Sequence, residues 1–503
     1  MMTIRFLLWV ALLAGIPAGA WEGFRVLVNG RAVAIHEARV SKAPINRVWP
    51  GKQRPLDQTE TAWFATFDMA APVEVRIELP AEQTLRKVEI RPFSAQIKPK
   101  AEKNTITFRL DRPRQLTLET DGRHRVLHLF ANAPAEPYRS CEGDLYFPPG
   151  VHEAGIIFPR DNQTVYLAEG AVVYGAIFAY KVKNVTIAGR GILDSSRLKR
   201  GELAKNAPGK PGSELLDVIR ELKLPIRDLE SSGSLVAYGC ENLRIAGIIL
   251  RDSMFWTLIT RNGCRNVVID NVKIIGQWRY NSDGIDICCS ENVTVRNCFI
   301  RSFDDCLVVR GTCLPGEGRY PVRNITVENC VMWCDWGKSL EIWLGWPRTE
   351  VENVVFRNID LIRLENVALD ITTWARPNRP NRTFVRNVTF QDIRIDPDDA
   401  QPESVYQDCD SRRYPDRPRI KVPHLIRVDR RNLEPQAAQK PDIPRRDLRY
   451  ENLSFIDITS GGRKLPVEIT GEPEELRIDR VLLRNVDAGD IRTESVTNLQ
   501  LEP

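Results

Sequence analysis

The apolar positions of this chain alternate with polar ones over short runs and rarely keep a helical period. Between Trp21 and about Cys141 the runs Phe24–Val28, Val73–Leu79, Lys87–Arg91, Thr105–Leu110, Gln115–Glu119 and Arg125–Phe130 are each bounded by Pro, Gly, Asn or Asp. A period of two places alternate side chains on opposite faces of a pleated strand. Several such strands at close spacing predict a small β-sandwich over residues 21–143. Its expected role is structural support or walling of a groove, since nothing in it has a catalytic pattern.

From about Asp144 the alternation becomes a repeat. Asn184-Val-Thr-Ile, Asn242-Leu-Arg-Ile, Asn266-Val-Val-Ile, Asn292-Val-Thr-Val, Asn324-Ile-Thr-Val, Asn353-Val-Val-Phe, Asn387-Val-Thr-Phe and Asn452-Leu-Ser-Phe share one pattern. Six of them carry Asn or Asp again five residues later, at Asn271, Asn297, Asn329, Asn358, Asp392 and Asp457. The successive intervals from Asn242 to Asn353 are 24, 26, 32 and 29. Such a period is one coil of a solenoid. Asn suits its corners because it tolerates left-handed backbone and can stack its amide on the next coil. A leucine-rich solenoid would show Leu at fixed places and a helical half-repeat, and neither is present. The expected fold is all-β: a right-handed parallel β-helix over residues 144–503, preceded by the N-terminal β-sandwich.

Two segments interrupt the repeat. Arg200–Ser232 is rich in Lys, Pro and Gly with a helix-like piece at Ser213–Leu222, and Pro397–Arg446 is rich in Pro, Asp and Arg. Both are expected as loops over the coil, either bordering a groove or decorating the surface.

Composition narrows the setting. Met1–Arg5 carries one positive charge, Phe6–Ile16 is apolar, and Ala18-Gly19-Ala20 precedes Trp21. This layout predicts a signal peptide over residues 1–20, because the apolar run is shorter than the roughly 20 residues of a membrane span. The mature chain is expected to be secreted or periplasmic, monomeric and without a membrane span. Lys plus Arg number 71 against 66 Asp plus Glu, interspersed, and no basic block calls for nucleic acid. Ten of the eleven cysteines lie between Cys141 and Cys334. In an oxidising compartment a pairing such as Cys306 with Cys313 is open. Cys240, Cys264 and Cys288 are evenly spaced at about one coil, which predicts one buried position repeated in successive coils. With five histidines and no CxxC spacing, neither a metal nor another cofactor is expected.

The chemistry concentrates in Asn281-Ser-Asp-Gly-Ile-Asp286 and Ser302-Phe-Asp-Asp-Cys-Leu307. Asp304 follows Asp283 by close to one coil, so Asp283, Asp304 and Asp305 are expected on neighbouring rungs. A lone Asp here would be a corner residue. Three converging acids repel one another, which raises at least one pKa and leaves a protonated group beside ionised ones. Glycoside hydrolysis needs that pairing: an acid protonates the leaving oxygen while a carboxylate activates water. Seven of eleven tryptophans, Trp256, Trp278, Trp333, Trp336, Trp343, Trp346 and Trp374, lie in the same region, as a saccharide cleft or as packing under loops.

On these residues the chain resembles the polygalacturonase family, glycoside hydrolase family 28, from about Asp144 to the C-terminus, and more distantly other inverting β-helix glycosidases. The family's Asn-Thr-Asp appears as Asn281-Ser282-Asp283, and its Asp-Asp as Asp304-Asp305. The resemblance implies that Asp304 is the general acid, and that Asp283 and Asp305 hold and deprotonate the attacking water. The family's Gly-His-Gly is here Gly337-Lys338-Ser339, and its Arg-Ile-Lys before Thr-Trp is Asp370-Ile-Thr372 before Thr373-Trp374. Both cations that would hold a galacturonate carboxylate are thus replaced. Asp370 would repel a uronate yet can bond a neutral sugar's hydroxyls, while Lys338, Arg310 or Arg376 could serve an acidic one. Asn281, Arg310, Lys338, Glu341, Asp370 and Trp374 are the candidate substrate-binding residues. Lys338 is either a cation supporting Asp304 or Asp305 or a solvated loop residue, and Glu341 either a sugar ligand or plainly outward.

The expected function is an inverting glycoside hydrolase acting without metal on a pectin-like or neutral polysaccharide. A β-helix polysaccharide lyase with Lys338 as base, and a non-catalytic glycan-binding adhesin, are the alternatives.

Overall fold

The computed structural model describes residues 23–45, 55–81, 83, 85–198, 233–311, 320–345, 348–375, 382–398, 422–432 and 447–503. The expected signal segment, Ser213–Leu222, Cys313, Trp346 and Arg376 lie outside the described residues.

From Leu145 to Glu502 the strands form one parallel sheet wound into a coil, in which each strand pairs with its counterpart one turn further on. One face, called here the front, stacks Leu235–Tyr238, Leu258–Arg261, Ile285–Cys288, Leu307–Arg310, Leu340–Leu344, Val367–Ala375 and His424–Asn432 in parallel register. The last of these strands falls inside the Pro397–Arg446 segment read as a loop. Its Leu-Ile-Arg-Val-Asp alternation is short, and the surrounding Pro and Arg masked it.

The asparagine pattern becomes a ladder. Asn162, Asn184, Asn242, Asn266, Asn292, Asn324, Asn353, Asn387 and Asn452 all have φ between 54° and 60°. From Asn184 onward each Nδ2 donates to the Oδ1 of the preceding member at 2.8–3.1 Å. Arg480 takes the next place, at φ 56°, and donates to Asn452. The second series is left-handed as well, but its side chains turn to varied partners: Asn271 to Asn132, Asn297 to Asp270, Asn358 to Asn329.

Inside the coil, alternate residues of every face form one apolar column that includes the stacked rings of Phe356, Phe390 and Phe455. The cysteine expectation needs two corrections. Cys264 lies on Cys240, accepting its N–H at 3.3 Å, but Ser290 precedes Glu291 in the next rung and takes the third place. Cys288 aligns with Arg310 instead, because the interval from Asn266 to Asn292 is two residues longer than the previous one. Cys306 is a buried free thiol, not a disulfide partner. It belongs to the apolar column of the coil.

The N-terminal region forms two five-stranded sheets packed face to face through Val26, Val75, Ile77 and Phe108 on one side and Leu116, Leu118, Leu127 and Leu129 on the other. The outer side of the second sheet packs on the coil: Phe64, Val126 and Phe130 meet Ile275, Phe299 and Trp333. Strand Val126–Asn132 is therefore buried on both faces, which explains its continuous run of buried residues. Charges bridge the same interface, with Glu119 meeting Arg363 and Arg91, and Asp396 meeting Arg91. Ile45, just after the strand Ile35–Ser41, packs with Phe303 and Trp336 at the turns that lead into the front strands.

Candidate active site

Alternation on the front strands sorts side chains into two sets. Ile285, Ile287, Leu307, Val309, Leu340, Ile342, Leu369 and Ile371 point into the core. Their neighbours point outward in columns, Asp286–Val308–Glu341–Asp370–Arg427 and Cys288–Arg310–Trp343–Thr372–Asp429. Parallel register stacks these side chains about 4.8 Å apart, so charges far apart in sequence become neighbours.

The turns entering these strands carry the aspartates. Asp304 N–H donates to the Ser282 carbonyl at 3.4 Å, and Gly284 N–H to the Asp305 carbonyl at 2.8 Å. Asp283 and the Asp304-Asp305 pair thus occupy neighbouring rungs, as their spacing predicts. Asn281, in left-handed backbone, donates from Nδ2 to Asp304 Oδ2 at 3.4 Å. Gly337 lies directly beneath: a Cβ there would sit 2.4 Å from both Asp304 C and Asp305 N.

Arg310 joins the acids. Its Nη2 is 2.6 Å from Asp283 Oδ2 and 3.7 Å from Asp305 Oδ2, and its Nε is 2.5 Å from Asp286 Oδ1. The guanidinium lies 4.3 Å from the Trp256 ring centre and 5.2 Å from that of Trp343. It is therefore saturated by protein carboxylates. On the next rungs Lys338 gives its backbone N–H to Asp305 Oδ1 at 2.8 Å, pairs through Nζ with Glu341, and reaches Asp370 Oδ2 at 3.4 Å. Arg427 Nε meets the other Asp370 oxygen at 2.9 Å, and Thr372 donates to Asp429 at 2.7 Å.

The expectations for single residues resolve accordingly. Lys338 is not a solvated loop residue: it is buried, with its backbone on Asp305 and its ammonium over Glu341 and Asp370. Glu341 and Asp370 face outward from the coil but are fully buried beneath it, so Glu341 is not a plain solvent-facing residue. Trp374 lies in strand Val367–Ala375, opposite Arg431. The tryptophans divide. Trp333 is buried at the interface with the sandwich and Trp278 donates to Asp252, whereas Trp256, Trp336 and Trp343 are half-buried beside the acids. Trp336 stacks on Phe303, ring centres 5.4 Å apart, and meets Tyr280 edge-on.

Asp286, Gly337, Arg427 and Asp429 were not legible as site residues from motif spacing. The available signal for Asp286, Arg427 and Asp429 was their outward parity on strands flanking the aspartates, whereas Gly337 lies in the turn before strand Leu340–Leu344.

The field of this cluster separates its carboxyls. Burial works to raise Asp305, but the ammonium of Lys338, a hydrogen bond from Glu341 and the charge of Arg310 outweigh it and hold the group below its ordinary range. Burial, then the charges of Asp286 and Asp304, push Asp283 well above it, with Arg310 opposing. Burial raises Asp286 to about 6, and burial with the charge of Asp305 pushes Glu341 well up. The field thus orders the carboxyls: Asp305 gives up its proton most readily, while Asp283, Asp286 and Glu341 hold theirs to higher pH. Burial would strip the ammonium of Lys338, but Glu341, Asp305 and Asp370 together push its pKa up.

A cleft of about 900 Å³ lies elsewhere, between the sandwich and the coil corner near Asn271 and Asn297, and none of the three aspartates lines it.

A family model described as glycosyl hydrolases family 28 matches residues 226–412. "Probable polygalacturonase At3g15720" of Arabidopsis thaliana is 31% identical over 150 residues, covering 25% of this chain and 32% of that protein. "Polygalacturonase QRT2" of the same plant is 26% identical over 232 residues, covering 44% and 49%. The chain thus spans about a third to a half of the length of these relatives. Among solved structures, Dex49A from Penicillium minioluteum superposes with a TM-score of 0.53 at 14% identity, over 90% of this chain and 88% of that one. This likeness is one of fold.

Proposed function

We propose that the protein is an exported glycoside hydrolase that cleaves a polysaccharide by inversion, with Asp283, Asp304 and Asp305 carrying the chemistry. The observation that carries the reading is the junction of the three acids on neighbouring rungs, through Arg310 to Asp283 and Asp305 and through Asn281 to Asp304. The similarity of residues 226–412 to glycosyl hydrolases family 28 supports it. In this reading Asp304, the most exposed of the three aspartates, protonates the leaving oxygen. Asp305, held ionised, takes the proton of the attacking water, and Asp283 helps to position that water. No metal is assigned a part.

The state of Lys338 favours hydrolysis over elimination. A lyase base must lose its proton, yet this ammonium is surrounded by Glu341, Asp305 and Asp370, which hold it charged.

Asp304→Asn should leave the far-ultraviolet spectrum and melting temperature near wild type while lowering reducing-end release by roughly 10²–10⁴-fold. Retained turnover in that variant would remove the assignment. Ultraviolet-absorbing unsaturated ends from the wild type would replace it with a lyase, and saccharide binding without any cleavage would leave an adhesin.

A further inference from the structure

The sandwich sits on those coil strands from which the chain passes directly to the aspartates. Its Phe64, Val126 and Phe130 pack on Ile275, Phe299 and Trp333. These three lie in the strands Lys273–Ile275, Phe299–Ser302 and Val322–Cys334. Beyond each strand comes a turn of the site, carrying in order Asn281, Asp304 and Gly337.

The contact continues onto the turns themselves. Ile45 and Phe303, 1% and 0% exposed, form a buried cluster with Tyr280 and Trp336 packed against it. Each coil residue of this cluster immediately precedes one of the site: Tyr280 before Asn281, Phe303 before Asp304, and Trp336 before Gly337. Trp336 stacks within 6° of parallel on Phe303, whose carbonyl accepts the Gly337 N–H at 3.0 Å. Ile45 thus shares one apolar cluster with three successive rungs. The strand before it, Ile35–Ser41, covers the approach to the first turn. Ala38 lies against Gly276, where an added Cβ would come 3.4 Å from its own, and Arg39 sits 5.4 Å from the Trp278 ring centre. The next residue, Arg279, pairs with Asp252 at 2.9 Å, and its carbonyl accepts the N–H of Ser282 at 3.1 Å and its hydroxyl at 2.6 Å.

We propose that Ile45 is a positioning residue of the active site, through which the sandwich sets the turns of Asn281, Asp304 and Gly337. This rests on reading Asp283, Asp304 and Asp305 as the reacting carboxyls. Side chains on the front strands are fixed by the register of the sheet, whereas these turns depend on what packs against them. Protein interiors are close-packed, so a void opened beside Phe303 is partly filled by movement of the ring and of the turn it begins. A displacement of about 1 Å at a reacting group can cost roughly 100-fold in rate. Ile45 is buried and offers no surface to a saccharide, so its loss acts on kcat and not on KM.

The test compares Ile45→Ala and Ile45→Val with Val75→Ala, which opens a void in the core of the sandwich instead. Each is made in the full chain and assayed for reducing-end release from pectic and neutral polysaccharides, below its melting temperature. Ile45→Ala should lower kcat by roughly 10–100-fold with KM unchanged. Ile45→Val should lower it less, and Val75→Ala should lower the melting temperature without changing kcat. In a crystal structure of Ile45→Ala, the Phe303–Trp336 pair and the Asp304 turn should shift while strands Ile285–Cys288 and Leu307–Arg310 stay in place. Wild-type kcat in Ile45→Ala, an unmoved turn, a change in KM alone, or an equal loss of kcat in Val75→Ala would each overturn the proposal. Should Ile45→Ala not fold, Ile45→Val carries the test, and a wild-type kcat there overturns it. A wild type without turnover, or turnover that survives Asp304→Asn, removes the hydrolase reading instead. The position of the turn in the Ile45→Ala crystal then still decides for or against Ile45.

Discussion

Arg310 Nη2 lies 2.6 Å from Asp283 Oδ2, and the same guanidinium reaches Asp286 through Nε. This contact lowers the cost of crowding carboxylates on adjacent rungs, because Arg310 opposes the upward push on Asp283 and Asp286 and helps to hold Asp305 low. Arg310→Met removes that opposition, so all three carboxyls ionise at higher pH. The ascending limb of the kcat/KM profile should move up by about one unit or more, with activity on its acid side falling at least about tenfold. An unmoved limb in the pH–rate profile would show that Arg310 does not govern the reacting groups.

Gly337 tests how closely the turn of Asp304 and Asp305 is held. Its hypothetical Cβ lies 2.4 Å from backbone atoms of both residues and 2.7 Å from Asp304 Oδ1, so Ala must displace them. Overpacking of this kind costs about 1–3 kcal/mol, and a shift of about 1 Å at a reacting group can cost roughly 100-fold in rate. Gly337→Ala should therefore lose about two orders of magnitude in kcat while remaining folded in a thermal melt. Near-normal turnover would mean that the acids tolerate more freedom than the packing indicates.

Much of this was legible in the chain because two local rules repeat. Alternation marks the strands, and the corner asparagines set the coil, so Asp283 and Asp304 could be placed on adjacent rungs without a structure. The misses arose where register, not motif, decides the neighbour. Cys288 kept the even spacing of Cys240 and Cys264 yet left their column, since two residues had been added to that coil. The strand His424–Asn432 was hidden by flanking Pro and Arg, and with it Arg427, which holds Asp370 from the next rung.

Glu119 ties the sandwich to the coil. Its carboxylate, 1% exposed, takes Arg363 through Nε at 3.0 Å and Arg91 through Nε at 3.3 Å. Breaking a buried pair from one side costs about 3–5 kcal/mol. The loss here should fall near the lower end, because Arg91 keeps Asp396 and Arg363 keeps Asp398. Glu119→Gln should lower unfolding free energy in urea by about 3 kcal/mol, with unchanged activity per folded molecule. A change under about 0.5 kcal/mol, the size usual for an ordinary surface substitution, would place the docking energy in the apolar contacts of Phe64, Phe130 and Trp333 instead.

Lys273 gives the same interface a pH dependence whose sign can be worked out. It is fully buried against Asn132 Oδ1, and burial pushes its ammonium down from 10.5 to about 7. Below about pH 7 both the folded and the unfolded chain carry the proton, and the folded state bears the full cost of the buried charge. Between about pH 7 and 10.5 the unfolded chain binds a proton that the folded chain lacks, so stability contributed by this residue rises with pH across that window. A shift of this size corresponds to a few kcal/mol in all. Lys273→Met removes the term. Urea unfolding of both proteins at pH 7, 8.5 and 10 should show the variant more stable at pH 7 and the gap closing as pH rises. Parallel curves would show that the amine of Lys273 keeps its ordinary affinity for the proton in the folded chain.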